Sequence, residues 1–327
     1  MRNVRFVSAP FPFLLILYLT AGVASAETIN CDGGGAAGSG AGRITTVPFT
    51  ITAPGVYCVT QKITSNLASG AAITINANNV LLDLNDFAIG NIGAGTTTTA
   101  VGIFAQDRQN IHIRNGVLRG FWAGVALVNG TSVGLTSALS SGHTVESIIS
   151  DTSYAIGITV EGPYVTVKSN KVMNTQGSNV VNPTFPNSQN FATGIVVGQG
   201  VGIHVVDNVI YNTDCINGCT ASTATVLGMA IETTAYGAVI EGNTIINQAI
   251  SAVPGSRGIF FGGHGGTAAS FDSFVYSNNI VNYVQGIFFC SNTGFVCTGV
   301  MIGNLTTGVT TPYVNGSSPV PTLGTNF

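Results

Sequence analysis

Glu161 and Glu232 are the first residues to weigh for chemistry, because this chain has so few charges. Only 7% of its 327 residues are charged, 13 acidic and 10 basic. Glu161 closes Gly157-Ile-Thr-Val-Glu161 and Glu232 closes Gly228-Met-Ala-Ile-Glu232, two copies of one Gly-led pattern. If each copy is a strand with its apolar residues turned inward, period-two alternation turns both carboxylates outward. In that alignment they lie two stacked strands apart, roughly 9.5 Å. Carboxyl groups roughly 6.5–9.5 Å apart suit inverting glycoside hydrolysis, one as acid and one as base acting on a water. Gly198 falls between them and leaves the space open, and His264 lies just beyond, in the next coil. Phe260 and Phe288 share the outward face and would stack on sugar rings. The bland alternative makes both glutamates solvated turn residues and puts the Phe pair under a loop or the tail.

Stacked elements must position these groups. Four segments repeat apolar-x-apolar-x-x-Asn-x-apolar-x-Asn, met loosely at the first position: 165–174, 203–212, 238–247 and 273–282. Their first Asn residues are Asn170, Asn208, Asn243 and Asn278, spaced 38, 35 and 35 apart. A Gly-led apolar piece precedes most copies, at Gly102, Gly124, Gly157, Gly194, Gly228, Gly258 and Gly286. No stretch combines a 3.6-residue period with helix caps. Strands this short bury no face alone, but stacked coils pair equivalent strands and bury a continuous apolar column. Equivalent Asn residues either stack as a hydrogen-bonded ladder or serve as left-handed turn residues. Both roles are architectural.

The repeats resemble those of right-handed parallel β-helix proteins, the pectin-lyase-like superfamily, over roughly residues 71–309. The resemblance implies an all-β, right-handed parallel β-helix of about eight coils. It specifies architecture better than activity, since the superfamily holds pectate lyases, polygalacturonases, alginate-modifying enzymes, phage tailspikes and non-catalytic surface proteins. Asn212-Thr213-Asp214 and Gly263-His264-Gly265 resemble two short polygalacturonase motifs. The paired aspartates expected between them and the Arg-x-Lys expected after them are missing, and Asn212 is already the repeat Asn. A lyase would need clustered aspartates for calcium and an Arg base. Asp207 and Asp214 have no third carboxylate nearby in sequence, so no metal or cofactor is expected, with calcium entering only if a lyase reading holds. His112 and His204 face outward from distant coils and cannot share a metal. Lys168 and Lys171 sit on a turn, where an acidic polymer could reach them.

The ends and the compartment complete the expectation. Arg2 and Arg5, the apolar run 11–23 and Ala24-Ser25-Ala26 read as a signal peptide over residues 1–26, with no membrane span left after cleavage. Residues 27–70 read as an N-terminal cap with a hairpin-like lead-in around Pro54-Gly55, and 310–327 as a C-terminal tail. Removing Arg2 and Arg5 leaves 8 basic against 13 acidic residues, which argues against a nucleic-acid partner. The cysteines fall into local pairs, Cys31 with Cys58, Cys215 with Cys219 and Cys290 with Cys297, as expected of disulfides in an oxidising compartment. Asn129, Asn304 and Asn315 head glycosylation sequons. A secreted, periplasmic or cell-surface protein follows. It would bind an extended polysaccharide, a surface glycan or a protein partner along one flank without a complete catalytic set. The alternative is a polysaccharide lyase, hydrolase or epimerase using the Glu161, Glu232 and His264 strip. A purely structural or ice-binding solenoid would need a regular Thr array, and the Gly-led strands are spaced unevenly, from 22 residues (124−102) to 37 (194−157).

Overall fold

The computed structural model describes residues 41–130, 139–185, 191–198, 200–216, 227–249, 255–262, 272–289, 299–315 and 322–326. Short parallel strands are almost its only regular secondary structure, and they stack in three columns. The Gly-led column is a ten-stranded sheet that begins at Phe49–Ile51 and ends at Thr311–Asn315. The other two columns carry the Asn repeat, one before the first Asn (Thr166–Lys168, His204–Val206, Val239–Glu241) and one after it (Lys171–Thr175, Val209–Thr213, Thr244–Ile246). They count as one sheet because Ile111–Arg119 and Thr144–Asp151 run through the corner between them. This is the expected parallel β-helix.

Register explains the core. Ile103, Val125, Ile158, Ile195, Ile231, Ile259 and Ile287 lie one above another in the Gly-led column. Leu82, Ile113, Val145, Val167, Val205, Ile240 and Val275 stack in the second, and Val172, Ile210, Ile245 and Ile280 in the third. All are fully buried, each contributing about 1.5–3 kcal/mol by leaving water. Gly157 leads its strand because a Cβ there would sit 2.4 Å from both the Gly194 carbonyl oxygen and a Val172 methyl.

Both structural roles weighed for the Asn repeat occur, at different positions. The first Asn of each copy forms a ladder. Asn170 Nδ2 donates to Asn208 Oδ1 (3.0 Å), Asn208 to Asn243 (2.9 Å), Asn243 to Asn278 (2.9 Å), Asn278 to Asn304 (2.9 Å) and Asn304 to Asn326 (3.0 Å). The same Oδ1 atoms accept the backbone N–H of the Asn one coil earlier. The second Asn supplies the left-handed turn at Asn174, Asn212 and Asn282, with φ of 55°, 54° and 63°. Asn304 is fully buried inside the ladder, so its sequon is closed to a glycosyltransferase.

The coils reach further than the repeats suggest. Ala41–Ile44 pairs in parallel with Gly55–Val59, and Phe49–Ile51 with Ala71–Ile75. Pro54-Gly55 is therefore a corner between columns and not a hairpin. At the other end Thr311–Asn315 and Thr322–Leu323 add further rungs within the expected tail. The N-terminal segments lack the Asn pattern but keep buried apolar residues, Ile44, Ile51 and Val59 among them, while the last rung still supplies Asn326 to the ladder. Residues 1–40, which include the expected signal peptide, lie outside the described residues.

Candidate functional site

The carboxylate strip does not assemble. Thr159 pairs with Val196, Val196 with Glu232, and Glu232 with Phe260. Glu161 pairs instead with Gly198. The two glutamates therefore occupy different outward rows, two strands and two residues apart, roughly 12 Å between Cα atoms. The alignment slipped because Gly228 is not the leading glycine of its strand. Ala230 holds that place, its carbonyl oxygen 2.6 Å from where a Cβ on Gly194 would be. The gap expected at Gly198 is also filled, since a Cβ there would meet Thr234 Oγ1 at 2.4 Å.

The outward face of this column is covered as well. The coil with the longest Gly-to-Gly spacing folds its extra residues back across the sheet. Trp122 stacks on Phe185 (5.3 Å between centroids, 17° between planes) and its Nε1 donates to the Val180 carbonyl. Asn182 Nδ2 donates to the Thr99 carbonyl (2.8 Å). Val101, Ala126, Val128 and Ile156 are buried in that cluster. Nearer the C-terminus, the Arg257 guanidinium carbon lies 4.2 Å from the ring centroids of both Phe260 and Phe288. Arg257 Nε donates to Gln285 Oε1 (2.8 Å). Phe260 is 2% exposed and Glu232 6%, so neither offers a surface to a sugar ring. Burial brings the Arg257 pKa down to about 10, with Glu232 pulling the other way. The pair is a buried charge couple, not an open acid–base site. His264 lies outside the described residues.

Glu161 has a different task. Its Oε2 accepts the Asn129 backbone N–H (2.8 Å), while Asp107 Oδ1 accepts that of Gly130 (2.8 Å). Burial pushes the Glu161 carboxyl up to about 7; the Asn129 bond opposes this and the Asp107 charge adds to it. Several other charges are paired across strands: Arg114 with Asp83 (2.9 Å), Lys168 with Glu146 (2.9 Å), His112 with Glu146 (2.6 Å) and Arg119 with Asp151 (2.6 Å). Lys168 is thus engaged, leaving Lys171 as the free cation of the two. Among the described residues no three His, Cys, Asp or Glu side chains group to hold a metal. Cys58 and Cys215 are disulfide-bonded, but their expected partners Cys31 and Cys219 lie outside the described residues, as do Cys290 and Cys297.

An open concavity lies elsewhere among the described residues, at the corner after the third column. A cleft of about 460 Å³ is lined by Thr152, Asn174, Thr175, Gln176, Asn212, Asp214, Ile216, Asn247, Gln248 and Ala249. It crosses four successive coils, roughly 14 Å along the axis. The second repeat Asn places it. Asn212 Nδ2 approaches Asn174 Oδ1 (3.4 Å), Asn174 Nδ2 donates to Asp151 Oδ1 (3.0 Å), and the Gln248 N–H donates to Asn212 Oδ1 (2.9 Å). Burial works against ionisation of Asp151, but bonds from Asn174, Arg119 and Thr152 outweigh it and hold this carboxyl below the ordinary range. Ile216, 68% exposed, adds an apolar surface. Asn247 Oδ1 accepts the Thr213 N–H (3.0 Å), while its Nδ2 and Thr175 Oγ1 are buried in the wall with no hydrogen-bond partner.

No family model matches this chain. No curated protein matches it either. Solved structures do. The mannuronan C-5 epimerase AlgE6 A-module of Azotobacter vinelandii is similar at 13% identity and a TM-score of 0.36, over 83% of this chain and 82% of that one. The AlgE4 A-module of the same organism gives 15% and 0.33, over 89% and 88%. The catalytic domain of a GH87 alpha-1,3-glucanase in complex with tetrasaccharides gives 11% and 0.29, over 84% of this chain and 64% of that one. Likeness at this level carries no chemistry to this chain.

The cleft was missed in the sequence although its residues were visible there. Asn174-Thr-Gln176, Asn212-Thr-Asp214 and Asn247-Gln248 each put a second polar side chain just after the turn Asn. That polar pair, recurring once per coil, is the signal.

Proposed function

We propose that this is an exported β-helix protein that holds an extended polysaccharide against its flank without cleaving it. The corner cleft carries the reading. It is long and open across four coils, and its described wall is made of amides, hydroxyls, one carboxylate and the apolar side chains of Ile216 and Ala249. Such walls match sugar hydroxyls by hydrogen bonds and a sugar face by contact. The described lining residues hold one carboxylate, Asp214, where glycoside hydrolysis uses a pair. Export through a signal peptide ending at Ala26 belongs to the same proposal, as do disulfides within Cys31/Cys58, Cys215/Cys219 and Cys290/Cys297. The test is affinity electrophoresis of the whole protein through gels holding individual soluble polysaccharides, with product release followed with calcium and with chelator. Retardation without depolymerisation is the expected result. Depolymerisation, or no retardation by any polymer, overturns it.

One observation favours a second reading. Glu161, a carboxyl raised to about 7 chiefly by burial, has the raised pKa of a general acid. If depolymerisation is found and Glu161→Gln abolishes it, the enzyme reading takes over.

A further inference from the structure

We infer that the corner cleft selects neutral, hydroxyl-rich polysaccharide and rejects uronic-acid polymers. The inference rests on the polysaccharide reading above and assigns that site its chemistry. A carboxylate ligand only accepts hydrogen bonds and needs cations or clustered N–H donors. The described lining residues include no Lys, Arg or His, and their one charge is the Asp214 carboxylate. The nearby guanidinium of Arg119 is already held on Asp151, with both Nε and Nη2 on one oxygen. Asn174 spends an N–H on that same Asp151.

What the wall offers is mixed. Asn212 and Asn174 each keep one amide N–H beyond the bond already made along the row. The exposed Gln248 side chain adds a further amide donor and acceptor. A hydroxyl both donates and accepts, so a neutral sugar can answer each of these groups in turn. A uronate brings acceptor oxygens and a like charge against Asp214. The exposed side chain of Ile216 would lie against the apolar face of a ring.

Affinity electrophoresis with a neutral set (xyloglucan, galactomannan, mixed-linkage glucan) and an acidic set (polygalacturonate, alginate) tests this on the whole protein. Neutral polymers should retard it and acidic ones should not. Ala249→Trp fills the cleft from an exposed position and should weaken neutral binding at least about tenfold, the loss of one or two good hydrogen bonds. Gln248→Arg is the second blocking variant, and an unchanged melting temperature confirms that either is folded. Asp214→Asn keeps an acceptor for the Cys215 N–H (2.8 Å) and should narrow the gap between acidic and neutral binding. Tighter binding of acidic polymers that Ala249→Trp blocks would overturn the inference and leave the polysaccharide reading standing. Neutral binding untouched by both blocking variants would overturn it too. No binding by either set would overturn both.

Discussion

Glu161→Gln offers a quantitative test of how this chain uses its few charges. Glu161 is half-buried, and its carboxyl is raised from 4.5 to about 7, chiefly by burial. The folded state therefore holds the proton more tightly than the unfolded chain. Stability from this group is complete below pH 4.5 and is lost as pH rises through about 7. The interval is about 2.5 pH units at about 1.36 kcal/mol each, so at most roughly 3 kcal/mol, less what solvent screening removes at a half-buried site. His143 acts in the opposite sense over an overlapping range. Burial lowers it to about 4, against a bond to the Arg108 backbone, so its contribution is lost as pH falls from 6.5 towards 4. The wild-type profile mixes the two, but the difference between wild type and Glu161→Gln isolates Glu161. Glutamine keeps an oxygen for the Asn129 N–H and cannot ionise. Urea unfolding can be followed through Trp122, the only tryptophan, which is fully buried. The variant should gain on wild type by about 2–3 kcal/mol between pH 4.5 and pH 8. A difference that stays flat over that range, or grows in the other direction, refutes the argument that burial sets this carboxyl.

Asn243→Ala should cost roughly 2–5 kcal/mol, because the Asn208 backbone N–H, one N–H of the Asn208 amide and the Val205 carbonyl lose the bonds they make to Asn243. Asn326→Ala, at the half-buried end of the ladder, should cost about 1–2 kcal/mol in the same urea assay. Arg257→Met should destabilise by roughly 2–4 kcal/mol by removing the opposite charge that acts with buried Glu232, and Glu232→Gln in that background should recover part of the loss. A double-mutant cycle with no coupling between these two would show that they do not act as a pair.

The backbone plan was legible because it is periodic. Each Asn170-type residue repeats once per coil, and a group that must hydrogen-bond to its own copy above and below leaves the same residue at the same place. Inward Ile and Val rows are legible for the same reason. The side-chain map of the Gly-led strand was less secure. Glycine there marks close approach of a neighbouring backbone, and Gly228 satisfies a similar constraint against the Thr213 carbonyl (2.9 Å) two residues before its strand's true leading position. One false anchor moved Glu232 by two residues and placed it in line with Glu161, whereas register sets the two in different rows.

Coverage of a face was not legible at all, and it decides the function. Nothing in the pattern of 176–185 says that Asn182 will reach Thr99 or that Phe185 will lie on Trp122. That segment removes the broad strand face from use. It leaves a corner whose conformation is fixed by left-handed Asn174 and Asn212. There the requirement for a turn and the capacity to bind coincide. Asn is tolerated at positive φ because its short amide bonds locally, and the same amide keeps donor and acceptor capacity for a ligand. A chain with only 7% charged residues has little else with which to recognise anything. Replacing Asn212 by Gly should separate the two roles, since Gly keeps the left-handed turn without strain and removes the amide. Stability should fall by no more than about 1–2 kcal/mol, the worth of the bonds to Asn174 and Gln248, while polysaccharide retardation should drop several-fold. Retardation that survives with the turn intact would mean that the amide row builds the corner and does not read the ligand.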